Sequence, residues 1–208
     1  MITVHHLNES RSQRILWLLE ELGLPYDIKF YKRDATTNLA PPELKAVHPL
    51  GKSPVITDGE VSIAESGAIV DYIVQVHGGG RLAPKPGGAD HWKHQEWLHY
   101  AEGSAMLPLM LQLYTMRLGE AAAPLQPRID DEIGNHLGYV DQSLAGRDYL
   151  MGKDLTAADV QMSFVGEVGR VFGRLASLPN LDAWVDRLHA RPAYKRALER
   201  GGPYAIGQ

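Results

Sequence analysis

The chain has 208 residues, of which 44% are hydrophobic and 22% charged, and its formal net charge is −4. This composition is typical of a globular protein with a sizeable core, and the negative charge disfavours a nucleic-acid binder. The chain contains no cysteine, which excludes a disulfide scaffold, a thiolate-bound metal, an iron–sulfur cluster and a catalytic thiol of the protein's own.

No segment has the features of a targeting or membrane-spanning sequence. Residues 1–14 lack the apolar stretch of a signal peptide. The longest apolar run, Ala105–Leu111, contains Pro108 and is far shorter than the roughly 18 residues that a membrane span requires. We therefore expect a cytoplasmic protein with no membrane partner.

The first part of the chain alternates between strand-like and helix-like patterns. In chain order these predict a strand at Ile2–His5, a helix along Ile15–Leu22, a strand at Tyr26–Phe30, a hairpin of Val55–Thr57 with Val61–Ile63, and a helix at about Ser66–Val76. Gly23 and Pro25 end the first helix, and Asp58-Gly59 is a strong hairpin signal. This order predicts an α+β unit in which helices pack a small mixed four-stranded sheet, as in the thioredoxin-like arrangement.

The Gly- and Pro-rich segment His77–Gly88 predicts a linker, and the chain beyond it is helical. The predicted helices are Asp90–Leu118 with Asp90 as N-cap, Pro124–Leu144, one that starts at Thr156, Leu181–Ala190 and Pro192–Glu199. We therefore predict a mixed-sheet domain at residues 1–78, for which the thioredoxin-like arrangement is one of several possibilities, a linker at 79–88 and an all-α helical-bundle domain at 89–208.

Four short motifs lie in a fixed order along the chain. They are Ser10–Arg14 at the junction of the first strand and helix, His48–Ile56, Ala64–Ile69 with Glu65-Ser66 at a helix start, and Leu155–Asp159, in which Thr156 and Asp159 have capping-box spacing. At these spacings the set resembles the glutathione S-transferases over essentially the whole chain. The resemblance implies that the turn within His48–Ile56 has a cis-proline, which would be Pro54. The resemblance implies a thioredoxin-like fold, glutathione as co-substrate, a homodimer and a role in detoxification.

The resemblance puts a sulfur-activating side chain near Arg14. In serine-type members the catalytic hydroxyl lies four positions before this arginine, which here is Ser10, with Ser12 and Asn8 as alternatives. Ser10 and Gln13 also have capping-box spacing, and one hydroxyl can serve both purposes. Lowering a thiol pKa by about two units requires about 2.7 kcal/mol, which a hydroxyl hydrogen bond and the positive end of a helix can supply together.

The resemblance also assigns residues to the rest of glutathione. Glu65 would pair with the glutamyl ammonium, and Ser66 at the helix N-terminus would take its α-carboxylate. Ser53 would pair its backbone with the cysteinyl part, as an added strand does, and Lys52 would attract the glycyl carboxylate. The alternatives are ordinary capping residues for Glu65 and Ser66, a plain loop residue for Ser53 and a solvated turn charge for Lys52.

The second substrate implied by the resemblance is a small hydrophobic electrophile in the helical domain, with Tyr114 and Phe172 as the candidate pocket residues. The same resemblance puts the homodimer interface near residues 90–118. His91, His94 and His99 lie in that segment, but no further ligand stands at a suitable spacing. We therefore predict a polar helix face there and no metal.

The expected function is that of a glutathione transferase, or of a peroxidase that uses the same thiolate. The alternative is a non-catalytic glutathione-transferase-like protein with a binding or regulatory role, because a fold alone does not fix a function. Intact Ser10, Glu65 and Ser66 favour the enzyme, since a protein that had abandoned glutathione would be free to lose them.

Overall fold

A computed structural model describes residues 1–206 of the chain. These residues form two compact units, one of Met1–Pro84 with His189–Ile206 and the other of Lys85–Leu188. In chain order the strands and α-helices are β1 (Ile2–Leu7), α1 (Ser12–Leu22), β2 (Tyr26–Tyr31), β3 (Val55–Asp58), β4 (Val61–Ala64), α2 (Ser66–Tyr72), α3 (Ala89–Tyr100), α4 (Met106–Thr115), α5 (Gln126–Ser143), α6 (Ala157–Val171), α7 (Pro179–His189) and α8 (Pro192–Gly201).

The first unit contains a four-stranded sheet with the order β2-β1-β3-β4. β1 runs parallel to β2, which requires a crossover connection, and α1 supplies it. β3 pairs antiparallel with both β1 and β4. The predicted thioredoxin-like mixed sheet is therefore confirmed.

α1 forms because its apolar residues bury one face against this sheet. Ile15, Leu18 and Leu19 are completely buried, as are their neighbours Leu16 and Trp17. The helix ends where Gly23 takes a left-handed conformation with φ +63°, and its N–H bonds back to the carbonyl of Glu20. The helix end predicted at Gly23 is confirmed.

The β3–β4 hairpin also forms as the sequence predicts, with the turn one residue further along. Asp58 ends β3 and pairs with Val61, so that Gly59 and Glu60 make the turn. Gly59 has φ +59°, a conformation that glycine adopts without a steric penalty. The Asp58 carboxylate thereby stays at the strand end, where it can accept hydrogen bonds.

The long predicted helix of residues 90–118 is interrupted in the second unit. α3 and α4 are separated by a π-helical turn at Ala101–Ala105, and a 3₁₀ segment, Met116–Ala122, follows α4. Pro108 has no N–H for the carbonyl of Ser104, and its ring crowds that carbonyl, which accounts for the break. Asp90 is not the N-cap, because Gly88 takes that position and Asp90 lies in the first turn.

α6 is the buried helix of the second unit, and Thr156 is its N-cap. The predicted start of this helix is confirmed: the Asp159 carboxylate accepts the Thr156 N–H at 2.9 Å. The same carboxylate accepts the Leu150 N–H at 2.8 Å and the Trp184 indole N–H at 3.1 Å. Asp159 therefore fixes the entry of α6 and one residue of α7. Within residues 1–206, no helix combines the length and apolar character needed to cross a membrane.

The last helix belongs to the first unit, although the sequence analysis places residues 89–208 in one helical domain. α8 packs on α1, where the rings of Tyr194 and Trp17 meet edge to face at 5.4 Å. Ala193, Tyr194 and Ala197 form the buried face of α8. The first unit also extends to Pro84, beyond the predicted domain end at residue 78.

Candidate glutathione site

Ser10 lies in the loop between β1 and α1 and is 6% exposed. Its hydroxyl donates to the Leu7 carbonyl at 2.8 Å and lies 2.8 Å from the Ser12 hydroxyl. It also accepts the Ser12 N–H at 3.2 Å. The predicted capping box does not form, because α1 begins at Ser12 with Arg11 as its N-cap. Ser10 can serve a ligand if its proton turns from the Leu7 carbonyl toward that ligand.

The Ser12 hydroxyl points inward. It is completely buried, and its oxygen lies 2.9 Å from Nδ1 of His6. Burial lowers the pKa of His6 to about 4, against a smaller opposing effect of a hydrogen bond to the Gly201 backbone. His6 is therefore neutral near pH 7 and can accept the Ser12 proton. Of the two serines, only Ser10 keeps some exposure to solvent.

Asn8 precedes Ser10 in the same loop and is half-buried. Its Oδ1 accepts the Arg33 N–H at 2.9 Å. Asn8 thus uses its side-chain oxygen to hold the backbone of Arg33, and it stays an alternative to Ser10.

Ser53 precedes β3, and the Ser53–Pro54 peptide bond is cis, which confirms the prediction for Pro54. The Ser53 hydroxyl donates to the backbone carbonyl of His5 at 2.8 Å, which ties this turn to β1. The neighbouring Lys52 is exposed.

Glu65 and Ser66 stand at the start of α2. Glu65 is the N-cap residue with φ +67° and ψ 117°, and its exposed side chain caps nothing. This backbone conformation is rare for a residue with a side chain, and such conformations cluster at functional sites. Ser66 is buried at the first helical position. The capping alternative therefore does not hold for the Glu65 side chain.

The strand register brings these segments to one edge of the sheet. Val55 pairs with His5 on one side and with Ala64 on the other. Because β3 is antiparallel to both neighbours, its start lies beside the ends of β1 and β4. Three segments therefore lie at the same end of the sheet: the loop that carries Ser10, the Ser53–Pro54 turn and the Glu65-Ser66 pair.

Comparison with known proteins decides the family. Residues 1–75 match the glutathione S-transferase N-terminal domain, and residues 103–192 match the C-terminal domain. The chain is 34% identical to glutathione S-transferase 3 of Schizosaccharomyces pombe, over 96% of this chain and 88% of that protein. The chain belongs to the glutathione S-transferase family.

Solved structures agree with this assignment. A glutathione S-transferase from Actinobacillus pleuropneumoniae superposes with a TM-score of 0.91 at 33% identity. The match covers 100% of this chain and 96% of the Actinobacillus chain. A glutathione transferase family member from Pseudomonas fluorescens, solved with two glutathione molecules bound, has a TM-score of 0.79 at 27% identity and covers 95% and 92%.

The two candidate pocket residues of this glutathione S-transferase lie in its second unit. Tyr114, near the end of α4, is 61% exposed. Phe172 is partly buried and is the C-cap residue of α6. The structure thus leaves Tyr114 available to a ligand and Phe172 partly so.

The sequence analysis predicts that the histidines of α3 lie on one polar face of the helix. The structure shows that they do not. His94 is 2% exposed, whereas His99 is exposed. Across residues 1–206, no group of three or more histidine, aspartate or glutamate side chains is arranged to hold a metal ion. The buried position of His94 follows from its place on the inner side of α3 beside Trp97 and Leu98, which are also buried.

Sequence reasoning missed Arg33, which follows β2. Its Nη2 donates to the Glu9 carbonyl at 2.9 Å and its Nε donates to the Asn8 carbonyl at 3.2 Å. Main-chain carbonyls are present at every position, so these partners leave no signal in the sequence. Only the folded loop reveals the contact.

Proposed function

We propose that this glutathione S-transferase activates the thiol of glutathione as a thiolate and conjugates it to a small hydrophobic electrophile, as a cytoplasmic, detoxifying homodimer. The observation that carries the proposal is the common sheet edge at which the Ser10 loop, the Ser53–Pro54 turn and Glu65-Ser66 meet. These segments contain donors and charges suited to a thiolate, a peptide backbone and an amino-acid end group. None of the comparisons favours the non-catalytic alternative.

In this proposal the Ser10 hydroxyl donates a hydrogen bond to the thiolate sulfur and keeps its proton. The hydroxyl exchanges its bond to the Leu7 carbonyl for one to a charged acceptor and still accepts the Ser12 N–H. A hydrogen bond to a charged group contributes about 1.5–3 kcal/mol, and the N-terminus of α1 adds up to about 2 kcal/mol. Together they match the roughly 2.7 kcal/mol that a two-unit fall of the thiol pKa requires.

The remaining groups hold the ends of glutathione. Glu65 is exposed and its side chain caps nothing, so its carboxylate is free to pair with the glutamyl ammonium. Ser66 and the N–H groups at the start of α2 would take the α-carboxylate. Ser53 would pair its backbone with the cysteinyl residue, and Lys52 would attract the glycyl carboxylate.

The second substrate and the partner subunit are proposed for the second unit. Tyr114, with Phe172, would contact the electrophile. The thiol proton passes to solvent when glutathione binds as the thiolate. The sulfur lone pair then forms the new bond to the electrophilic carbon, while the bond from that carbon to its leaving group breaks and the leaving group departs with the electron pair. Exposed apolar side chains on α4, Leu107 at 58%, Leu111 at 42% and Leu113 at 40%, support a contact surface in residues 90–118. Sedimentation equilibrium tests the homodimer, and a monomer at every concentration would exclude it.

The decisive experiment titrates bound glutathione by its thiolate ultraviolet absorbance across pH. In the wild type we expect an apparent thiol pKa well below the free value of about 8.5, and in Ser10→Ala a rise of about one to two units. Ser143→Ala is the control, because it removes a hydroxyl that donates to the Tyr139 carbonyl of α5 at 2.8 Å.

Two results would count against the proposal. An Ser10→Ala titration that coincides with the wild type would remove Ser10 from the role and leave Ser12 and Asn8 as candidates. A wild-type protein that shows no calorimetric binding of glutathione would overturn the transferase function itself.

A further inference from the structure

The loop that carries Ser10 is held from outside by one guanidinium group. Arg33 is half-buried and donates from Nε to the Asn8 carbonyl at 3.2 Å and from Nη2 to the Glu9 carbonyl at 2.9 Å. Its Nη1 donates to the Asn38 carbonyl at 3.1 Å. The Arg33 backbone N–H completes the set with its bond to Oδ1 of Asn8 at 2.9 Å.

The residue directly before Ser10 has an unfavourable backbone conformation. Glu9 has φ +50°, in the left-handed region that residues with a Cβ rarely adopt. Its carboxylate oxygens both lie 3.0 Å from the Ala205 N–H. Such a conformation persists only where its surroundings hold it, and here the Arg33 side chain and the Ala205 backbone do so.

The direction of Ser10 depends on this conformation, because the backbone of Glu9 sets where the next residue points. We propose that Arg33 is a positioning residue for thiolate stabilisation. Its hydrogen bonds to the Asn8 and Glu9 carbonyls fix the backbone of the loop, and the fixed backbone orients the Ser10 hydroxyl toward the sulfur. This inference rests on the proposed role of Ser10 in the transferase reaction. Arg33 itself touches neither the sulfur nor the electrophile in this scheme.

The positioning effect of Arg33 on Ser10 can be distinguished from the effect of its positive charge on the thiolate. Arg33 carries a positive charge that would favour a nearby thiolate wherever it lay, and Glu9 and Arg11 are the charged groups that act on it. Lysine keeps that charge but lacks the planar fork of donors that reaches several carbonyls at once. If geometry matters, Arg33→Lys must behave like Arg33→Gln and not like the wild type.

The test titrates bound glutathione by thiolate absorbance in Arg33→Lys and Arg33→Gln and measures kcat and KM with an electrophilic substrate. We expect the apparent thiol pKa to rise by about one unit in both variants, which is about tenfold less thiolate at pH values below it. We expect kcat to fall by a similar factor, with a smaller change in KM, because Glu65 and Ser66 are untouched.

Arg81→Lys and Arg81→Gln are the matched controls. The Arg81 guanidinium also bonds two backbone carbonyls of the first unit, those of Gly78 at 3.1 Å and Leu22 at 2.8 Å, but away from the Ser10 loop. We expect these variants to melt at lower temperature and to titrate like the wild type.

The proposal is overturned if Arg33→Lys titrates like the wild type, since charge alone would then suffice. It is also overturned if the Arg81 variants shift the titration as far as the Arg33 variants do, since general loosening would then explain both. Should Arg33→Gln fail to fold, Arg33→Lys decides the question alone. A wild type with an unperturbed glutathione thiol would instead contradict the proposed function.

Discussion

Glu21 of α1 and Arg191, which stand 170 positions apart in the chain, form a two-point ion pair with Nε–Oε1 at 2.5 Å and Nη2–Oε2 at 2.9 Å. The Glu21 side chain is 8% exposed, and its carboxylate also accepts the Trp17 indole N–H at 2.8 Å. The residue directly before Glu21, Glu20, binds Arg196 at 2.9 Å. Ion pairs thus hold α8 against α1 in addition to the packing of apolar side chains.

We expect Glu21→Gln to lower the free energy of unfolding by about 1–2 kcal/mol, because it removes the charge from a nearly buried pair while it keeps the shape and an acceptor for Trp17. Urea unfolding followed by tryptophan fluorescence measures the change. Arg128→Gln is the control, since Arg128 is 72% exposed in its pair with Asp131, and it should change stability by less than about 0.5 kcal/mol. Equal effects of the two substitutions would contradict the interpretation.

Glu65 combines a strained backbone conformation with a proposed role in glutathione binding. Glu65→Gly should raise the free energy of unfolding by about 0.5–1 kcal/mol, because at φ +67° and ψ 117° glycine has no Cβ to crowd the backbone. The same substitution should weaken glutathione binding about tenfold or more, because the ammonium loses a charged partner. Glu65→Gln separates the two effects, since it keeps the strained backbone: we expect wild-type stability with weakened binding. Calorimetry that gives wild-type affinity for Glu65→Gln would remove Glu65 from the site.

Asp159 is a buried acidic residue with a structural role: burial raises the pKa of its carboxyl group, and the hydrogen bonds that it accepts oppose that rise. Its two oxygens accept from Leu150, Trp184 and Thr156, so the amide of Asp159→Asn must turn its NH₂ toward at least one of these donors. We expect a loss of about 2–4 kcal/mol in urea unfolding. Asp154→Asn, at an exposed neighbouring position, should stay within about 0.5 kcal/mol. A loss below about 1 kcal/mol in Asp159→Asn would show that the network is dispensable.

Local signals account for the elements that the sequence predicts correctly. The end of α1 at Gly23, the β3–β4 turn at Gly59 and the start of α6 at Thr156 each depend on residues a few positions apart. The cis bond at Pro54 is predicted by a family motif of similar length. The roles of Ser10, Glu65 and the other site residues remain predictions.

Long-range contacts account for what the sequence does not predict. The sequence pattern of α8 is that of an ordinary amphipathic helix, and long-range contacts such as the Glu21–Arg191 pair and the Trp17–Tyr194 ring contact assign it to the first unit. The break between α3 and α4 is different, because it is a local effect of Pro108 on the carbonyl four residues before it. The proline is visible in the sequence, and the prediction of one helix over residues 90–118 does not take it into account. Arg33 acts on main-chain carbonyls, so no pairing of residue types reveals it.

Two glycines should respond to alanine in opposite directions. At Gly166 of α6 an added Cβ would lie 2.8 Å from Val185 Cγ2 and 3.0 Å from Trp184 Cζ3, both in the packed core of the second unit. We expect Gly166→Ala to cost about 1–3 kcal/mol through overpacking. At Gly134 of α5 nothing lies within 4 Å, so Gly134→Ala should stabilise by about 0.5–1 kcal/mol. Urea unfolding of both variants checks the pair, and a destabilised Gly134→Ala would contradict the open space seen there.

Asp58 should give the first unit a defined dependence on pH. Burial disfavours its charge, but hydrogen bonds from His77 at 2.6 Å, Tyr72 at 3.0 Å and the Met1 ammonium at 3.2 Å outweigh it, so the pKa of Asp58 lies below its ordinary value. Because the folded-state pKa is lower than the unfolded one, the carboxylate stabilises the fold above about pH 4, and this contribution is lost as the pH falls through the folded pKa.

We therefore expect Asp58→Asn to be less stable than the wild type at about pH 6, and the difference to shrink as the pH falls below about 4 and through the folded pKa of Asp58. Urea unfolding of both proteins over a pH series measures it. Asp27→Asn, on exposed β2 surface, is the control and should track the wild type at every pH. A gap between Asp58→Asn and the wild type that stays constant across the series would show that shape, and not ionisation, accounts for the role of Asp58.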